Sequence, residues 1–337
     1  MKKWINKKNI ILLVKIVFMV LVLYFLGKYL INNFQELKNY EFKLDILLFV
    51  ISLLLFLAYK LYNAILWHYI TYKNGCSINV KKAVISWGYS LLGKYIPGKI
   101  FYLGARLYYY NEEGKSNKKV TFSFFVENIC TLLAATFILL VAALFVDNPV
   151  LNQFKLIFAV LLVVFFVMIN PRILEFCINL GLKILKKPPV SIPMSYKDMF
   201  FIVLLFIGNW LVLGLGFFLL VKALYPPIGF DNYVFLSGAF AFSSMAGILA
   251  IIAPGGIGVR EYFLILTLEA IFPKSIPAVA ALPMVIAAVS RVWVTIAELA
   301  AVLLSFVFAK ANKIEFKAET IKQKGEQEEE IPGAIEP

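Results

Sequence analysis

The chain has 337 residues, 61% hydrophobic and 16% charged, with a formal net charge of +13 and a mean hydropathy of +0.84. One soluble core of this length cannot hide that much apolar surface, so the bilayer takes the excess and a soluble globular fold is excluded. The Lys and Arg residues fall in short loops beside apolar segments, a pattern of membrane topology that calls for no nucleic acid as partner.

Stretches such as Ile202 to Val221 are apolar on all sides and about as long as a bilayer-crossing helix, which argues against a transmembrane β-barrel. Lys2, Lys3, Lys7 and Lys8 place the N-terminus in the cytoplasm, and a first span covers about 10 to 31. It lacks a small-residue cleavage site and reads as a retained span. The segment around Glu36, Lys38, Glu41 and Asp45 then lies outside. A second span, about 46 to 67, leads back to Lys73, Lys81 and Lys82, with Trp67, His68 and Tyr69 as an interfacial aromatic belt at its inner end.

The next apolar stretch, about 84 to 105, is interrupted by KYIPGKI and has basic residues on both sides, since Arg106, Lys115, Lys118 and Lys119 follow it. A single crossing would export one of these basic loops. A hairpin that enters from the cytoplasm, turns at Pro97-Gly98 and leaves on the same side retains both. Tyr108, Tyr109 and Tyr110 read as an interfacial anchor, with stacking on a sugar headgroup as the alternative. A third span, about 120 to 146, leads out to the uncharged DNPVLNQ loop, and a fourth, about 154 to 169, leads in to Arg172, Lys183, Lys186 and Lys187. Residues 172 to 185 are expected along the membrane surface, before PPVSIP. A fifth span, about 199 to 221, exits to YPPIGFDN.

The second break, APGGIGVRE, has apolar arms at about 233 to 252 and 262 to 272, long enough for either a re-entrant hairpin or two crossings. The last span, about 278 to 308, ends at Lys310, Lys313 and Lys317 in the cytoplasm. The fold class is thus an all-α polytopic membrane protein of about six full spans plus two broken or re-entrant hairpins. Three spans lie between the breaks, so they open to opposite faces. This organises residues 1–309 as one transmembrane domain with an inverted repeat, about 10–146 and about 154–308, followed by a disordered cytoplasmic tail over 310–337. Simple glycine and proline kinks are the structural alternative.

Charged residues inside the spans point to the chemistry. Ser123, Glu127 and Thr131 form one polar stripe, and Arg291, Thr295 and Glu298 another. An ionised side chain at such depth costs about 3 kcal/mol on the insertion scale, so these residues face a cavity or each other. Two structural ion pairs, Arg106 with Glu127 and Glu261 with Arg291, would lock the hairpins. The same basic groups would suit an anionic headgroup, aided by the N–H groups of half-helices that begin after Pro97-Gly98 or Gly255-Gly256. The candidate binding residues are Lys94, Pro97, Gly98, Arg106, Glu127, Pro254, Gly255, Gly256, Gly258, Arg260, Glu261, Arg291 and Glu298.

KYIPGKI with Arg106 and Glu127, and APGGIGVRE with Arg291, resemble the pattern of the lysylphosphatidylglycerol synthase transmembrane-region, or flippase-like domain, family. The resemblance covers about residues 10 to 308, and PGGIGVRE is its most specific part. It implies movement of lipid between leaflets. The tail after Phe308 is too short for the aminoacyl-transferase domain of the fused members, so lipid synthesis is not implied. The expected partner is an anionic phospholipid or a polyprenyl-phosphate-linked glycolipid in the plasma membrane. A non-transporting accessory protein of an envelope glycosyltransferase, or an ion or small-solute carrier, is the alternative. Cys76, Cys130 and Cys177 lack metal-ligand spacing, His68 is the one histidine, and no GxxxxGK[ST] loop exists, so neither catalytic residues nor a metal or other cofactor are expected.

Overall fold

The computed structural model describes residues 44–93, 100–145, 149–184, 193–250, 256, 258–272 and 277–314, with the isolated positions 189 and 191. The first expected span, the tail after 314, and Lys94, Pro97, Gly98, Pro254 and Gly255 lie outside them. Among the described residues the chain is helical without strands, and five helices are long and apolar enough to cross a membrane. The protein is an all-α polytopic membrane protein.

Helix α1 is Ile46–Lys73, started by Asp45, whose Oδ1 accepts the Leu48 N–H at 3.0 Å and so satisfies a donor that the first turn leaves open. The first hairpin follows as α2, Val80–Gly93, and α3, Ile100–Glu112, which pack against each other. Arms of 14 and 13 residues rise only about 20 Å, short of the roughly 30 Å hydrocarbon core. Their outer ends meet, because Lys82 pairs with Glu113. This hairpin therefore enters and leaves on one face, as the basic loops predict.

Helix α4 is Asn117–Phe145, α5 Pro149–Met168, α6 Pro171–Ile184 and α7 Tyr196–Leu224. In α6, Ile173, Phe176, Leu180 and Ile184 are exposed at spacings of three and four while Leu174 is buried, the pattern of a helix lying along the membrane surface. A capping box between Ser195 and Asp198 starts α7. At that end Lys73 pairs with Asp198 at 2.7 Å, Asn74 Nδ2 donates to the Lys119 carbonyl at 2.8 Å, and Lys81 Nζ donates to Asn312 Oδ1 at 2.7 Å. These contacts gather the ends of α1, α2, α4, α7 and the last helix on one basic face.

On the far face the Asp45 N–H donates to the Ala223 carbonyl at 2.9 Å, and the rings of Tyr225 and Phe272 lie 5.5 Å apart. A 3-10 turn, Phe230–Asn232, leads into α8, Tyr233–Leu249, which is followed by α9, Val259–Leu268. The α8 start and the chain after α9 both lie on this far face. With 10 residues α9 rises about 15 Å and does not cross, so the second break is a re-entrant hairpin. Its arms end at 249 and begin at 259, an interruption as long as the apolar pattern predicts but shifted three residues toward the N-terminus. The described positions of the interruption explain the glycines. Gly256 and Gly258 have φ of +68° and +84°, and a Cβ on Gly256 would lie 2.7 Å from Gly247 Cα.

The last apolar stretch is divided into a short turn, α10, Pro277–Ala280, and α11, Leu282–Ala311. Pro283 explains the division, because a proline without an N–H fits only the first turn of a helix. Helix α11 packs against α2 of one hairpin and α9 of the other, and also against α1. Two cores hold the bundle. One joins α1, α4, α7, α8, α9 and α11. The other joins the first hairpin to the basic end of α1 and to Ala301, Val302 and Ala309 of α11. Tyr109 and Tyr110 belong to this second core and are 1% and 0% exposed, which corrects their reading as interfacial anchors. The Tyr110 hydroxyl is hydrogen-bonded to Thr71 Oγ1 at 3.0 Å, so its polar end has a partner without reaching the headgroups.

Candidate functional site

The deepest feature of the first hairpin is Arg106, which is fully buried on α3 about 9 Å from the helix end. Its Nη1 donates to Glu127 Oε2 on α4, and its Nε donates to Ser90 Oγ on α2 at 3.2 Å. Glu127 Oε1 accepts the Trp87 indole N–H at 2.8 Å. The guanidinium carbon lies 4.2 Å from the Trp67 ring centroid and 4.9 Å from that of Tyr102. Trp67 is therefore not part of an interfacial belt: a cation-binding wall needs a flat aromatic face, and this indole supplies it from inside the bundle. Arg106 Nη2 is buried and has no hydrogen-bond partner among the described residues. A planar guanidinium with one edge held by a carboxylate and one donor unused is suited to accept an oxyanion.

The second hairpin presents a related arrangement nearer the far face. Glu261, 3% exposed in the first turn of α9, accepts the Gly258 N–H through Oε2 at 2.6 Å and faces Arg291 Nη1 of α11 across 3.6 Å. The hydrogen bond caps the start of the half-helix. One of the N–H groups expected to bind an anion is thus already engaged by a carboxylate, and an incoming anion must compete with Glu261 for it. The adjacent Arg260, 7% exposed, lies with its guanidinium 4.6 Å from the Phe240 ring centroid. Arg291 retains 20% of its side-chain surface, the most accessible of these arginines.

Glu298 does not pair with the arginine of its own stripe. It is 2% exposed and binds Lys60 Nζ of α1 at 2.8 Å. Thr295, between Glu298 and Arg291, donates to the Arg291 carbonyl, as Ser123 and Thr131 donate to carbonyls of α4; these hydroxyls are satisfied within their own helices. Lys60 was not among the residues that the sequence pointed to. The signal existed, since one lysine stands in the middle of an otherwise apolar span and such a residue needs a partner.

The groups share one region of electrostatic interaction. Tyr59, beside Lys60, lies within reach of Glu298, Glu127 and Arg260, and Tyr102 of the first hairpin lies within reach of Arg106, Glu127 and Glu298. The structure pairs Arg106 with Glu127, Glu261 with Arg291 and Glu298 with Lys60, sets Arg260 on the Phe240 ring, and has Gly256 and Gly258 as the described part of the second break. Lys94, Pro97, Gly98, Pro254 and Gly255 fall outside the described residues. Among the described residues no group of three or more His, Cys, Asp or Glu gathers in a way that could hold a metal ion.

Residues 12–297 match the family model described as the lysylphosphatidylglycerol synthase TM region. Neither the comparison with curated proteins nor that with solved structures gave a match. The chain belongs to the lysylphosphatidylglycerol synthase TM region family, and it is a multi-pass membrane protein of that lipid-related family.

Proposed function

We propose that this family member is a lipid transporter that moves an anionic phospholipid, or a polyprenyl-phosphate-linked glycolipid, between the leaflets of the plasma membrane. The observation that carries the reading is the pair of hairpins with bases on opposite faces of the bundle, each contributing one member of an arginine–glutamate pair: the buried Arg106 with Glu127 of α4, and the buried Glu261 with the partly accessible Arg291 of α11. A phosphate headgroup exchanges with Glu127 for Arg106 from one side and with Glu261 for Arg291 from the other, while the acyl or prenyl chains stay in lipid. Arg260 and the positive end of α9 add to the attraction. The halves then act as an inverted repeat, rocking so that only one hairpin is open at a time. In this reading the basic face is cytoplasmic, as are both termini, and no covalent step occurs.

The test is translocation of headgroup-labelled lipid in vesicles containing the purified protein. Labelled phosphatidylglycerol should reach the opposite leaflet faster than in protein-free vesicles, and Arg291→Ala and Glu261→Ala should slow it by at least about tenfold, the loss of one charge-assisted contact. If both variants melted like the parent and moved lipid as fast, the site assignment would be wrong.

A further inference from the structure

The two hairpin sites lie at different depths, and the Lys60–Glu298 pair lies between them. Counted along the helices, Arg106 is about 9 Å from the basic end of α3, and Arg291 about 14 Å from the far end of α11. Lys60 is about 20 Å from either end of α1, and Glu298 about 20 Å from the basic end of α11. The pair is therefore near the middle of the bundle. Neither residue belongs to a hairpin, so the pair does not lock one.

The surroundings of this pair are continuous with both sites. Lys60 Nζ stands 5.3 Å from the Phe56 ring centroid, Phe56 stacks on Trp293 at 4.4 Å, and Trp293 lies edge-on to Phe240 at 5.8 Å. Phe240 is the ring that carries Arg260. An aromatic path thus runs from the middle lysine to the basic group of the second hairpin. Toward the first hairpin, Tyr102 lies within electrostatic reach of both Glu298 and Arg106. Trp293 is fully buried, and among the described residues its indole N–H has no acceptor. Buried donors without acceptors are rare in proteins, and among the described residues this N–H is joined by Arg106 Nη2 and the indole N–H groups of Trp67 and Trp210.

We propose that Lys60 is a third, central binding site for the phosphodiester of the lipid headgroup, and that Glu298 holds the lysine while this site is empty. The proposal rests on the transport reading and deepens it. A phosphate crossing about 30 Å of hydrocarbon passes the inner arginine, the central lysine and the outer arginine, exchanging one carboxylate-held cation for the next. Such a step lowers the largest barrier on the path, because a headgroup charge at mid-depth is most costly without a cation beside it. A lysine suits the middle position: its ammonium is a compact charge with three donors, so it can hold a phosphate oxygen without the two-point grip of an arginine.

A structural role and a binding role are separable. Replacing a buried ion pair by apolar residues of similar volume commonly preserves or raises stability, whereas removing one partner does not. The double variant Lys60→Met with Glu298→Leu should therefore melt near the parent temperature yet move labelled phosphatidylglycerol at least about tenfold more slowly. Lys60→Arg, which keeps the charge, should recover most of the rate. Parental transport by the stable double variant overturns the proposal.

A second measurement does not depend on that variant folding or on transport being observed. Glu298→Gln leaves Lys60 charged and removes its competitor for phosphate. The purified variant should retain about tenfold more phosphatidylglycerol per protein than the parent, as counted by mass spectrometry, and a wash with inorganic phosphate should not release it. Equal or lower retention, or release by free phosphate, overturns the assignment to a lipid phosphodiester. If the parent moved no lipid while Glu298→Gln still retained it, the transport reading would fail and the binding site would stand.

Discussion

Neutralising Glu127 isolates the energetics of the first hairpin. In the parent, its carboxylate engages both Arg106 Nη1 and the Trp87 N–H, while Arg106 is 0% exposed. Removing one partner of a buried pair costs about 3–5 kcal/mol, because the remaining charge keeps its desolvation penalty. The Ser90 hydroxyl at 3.2 Å and the Trp67 face at 4.2 Å are the same in both proteins and cancel, whereas the glutamine carbonyl still accepts one guanidinium N–H, which retains about 1–2 kcal/mol. Glu127→Gln should then destabilise by about 2–3 kcal/mol. At about 2–4 °C per kcal/mol for a domain of this size, melting should fall by about 5–10 °C. Thermal unfolding in detergent, followed by tryptophan fluorescence, reads the shift. The double variant Arg106→Met with Glu127→Leu should melt above either single variant, since it leaves no buried charge. Melting of Glu127→Gln within about 1 °C of the parent, or a double variant whose losses simply add, would refute the view that this carboxylate compensates a buried guanidinium.

Further outcomes check the fold. Gly256→Ala places a Cβ 2.7 Å from Gly247 Cα at a φ of +68° and should cost about 2–4 kcal/mol from overlap and backbone strain. Gly181→Ala, where nothing lies within 4 Å, should be neutral or stabilising by up to about 1 kcal/mol in the same melting assay. Single cysteines at Lys81 and Glu113 should react with a membrane-impermeant maleimide on one side of oriented vesicles, and cysteines at Asp231 and Ala270 on the other; any other grouping refutes the re-entrant hairpins. In the parent, buried Cys76 should label only on unfolding. Burial pushes the Cys76 thiol up, so the unfolded chain releases that proton first and stability falls as pH rises through the ordinary thiol range; an alkaline melting series in which Cys76→Ala abolishes part of that fall checks the sign.

Side-by-side basic loops around a span of insufficient length made the first hairpin legible, because a charge pattern that no single crossing satisfies has few other solutions. The ion pairs Arg106–Glu127 and Glu261–Arg291 were legible for a similar reason: each charge in an apolar segment needs a partner, and each pair lies within one half of the chain. Lys60–Glu298 was not, because its members are 238 residues apart and share no motif. Glu298 shares a helical face with Arg291, and that stripe marked it as a buried charge without naming its partner. The aromatic residues did mislead. Trp67 and Tyr110 stand at positions where interfacial belts occur, and only the packed hairpin shows that they face inward to hold a guanidinium and a threonine hydroxyl.

In the proposed transport mechanism the position of α11 links these sites. Arg291 and Glu298 are both on it, so it contributes the cation that faces the second hairpin and the carboxylate that holds the central lysine. It also packs on α2 of the first hairpin, with Gly88 so close to Ser305 that a Cβ there would overlap the hydroxyl. A shift of α2 by even a fraction of an ångström is therefore transmitted to the helix that carries two of the three carboxylate–cation contacts, because packed interiors move as bodies and do not compress. In an alternating mechanism the two openings must be mutually exclusive, and a helix in contact with both hairpins supplies a physical route for that exclusion. On the proposed transport reading, Gly88→Ala should push α2 and α11 apart and uncouple the two hairpins, raising lipid movement in both directions in the labelled-vesicle assay even though the residue touches none of the charged groups; an unchanged rate would count against this coupling.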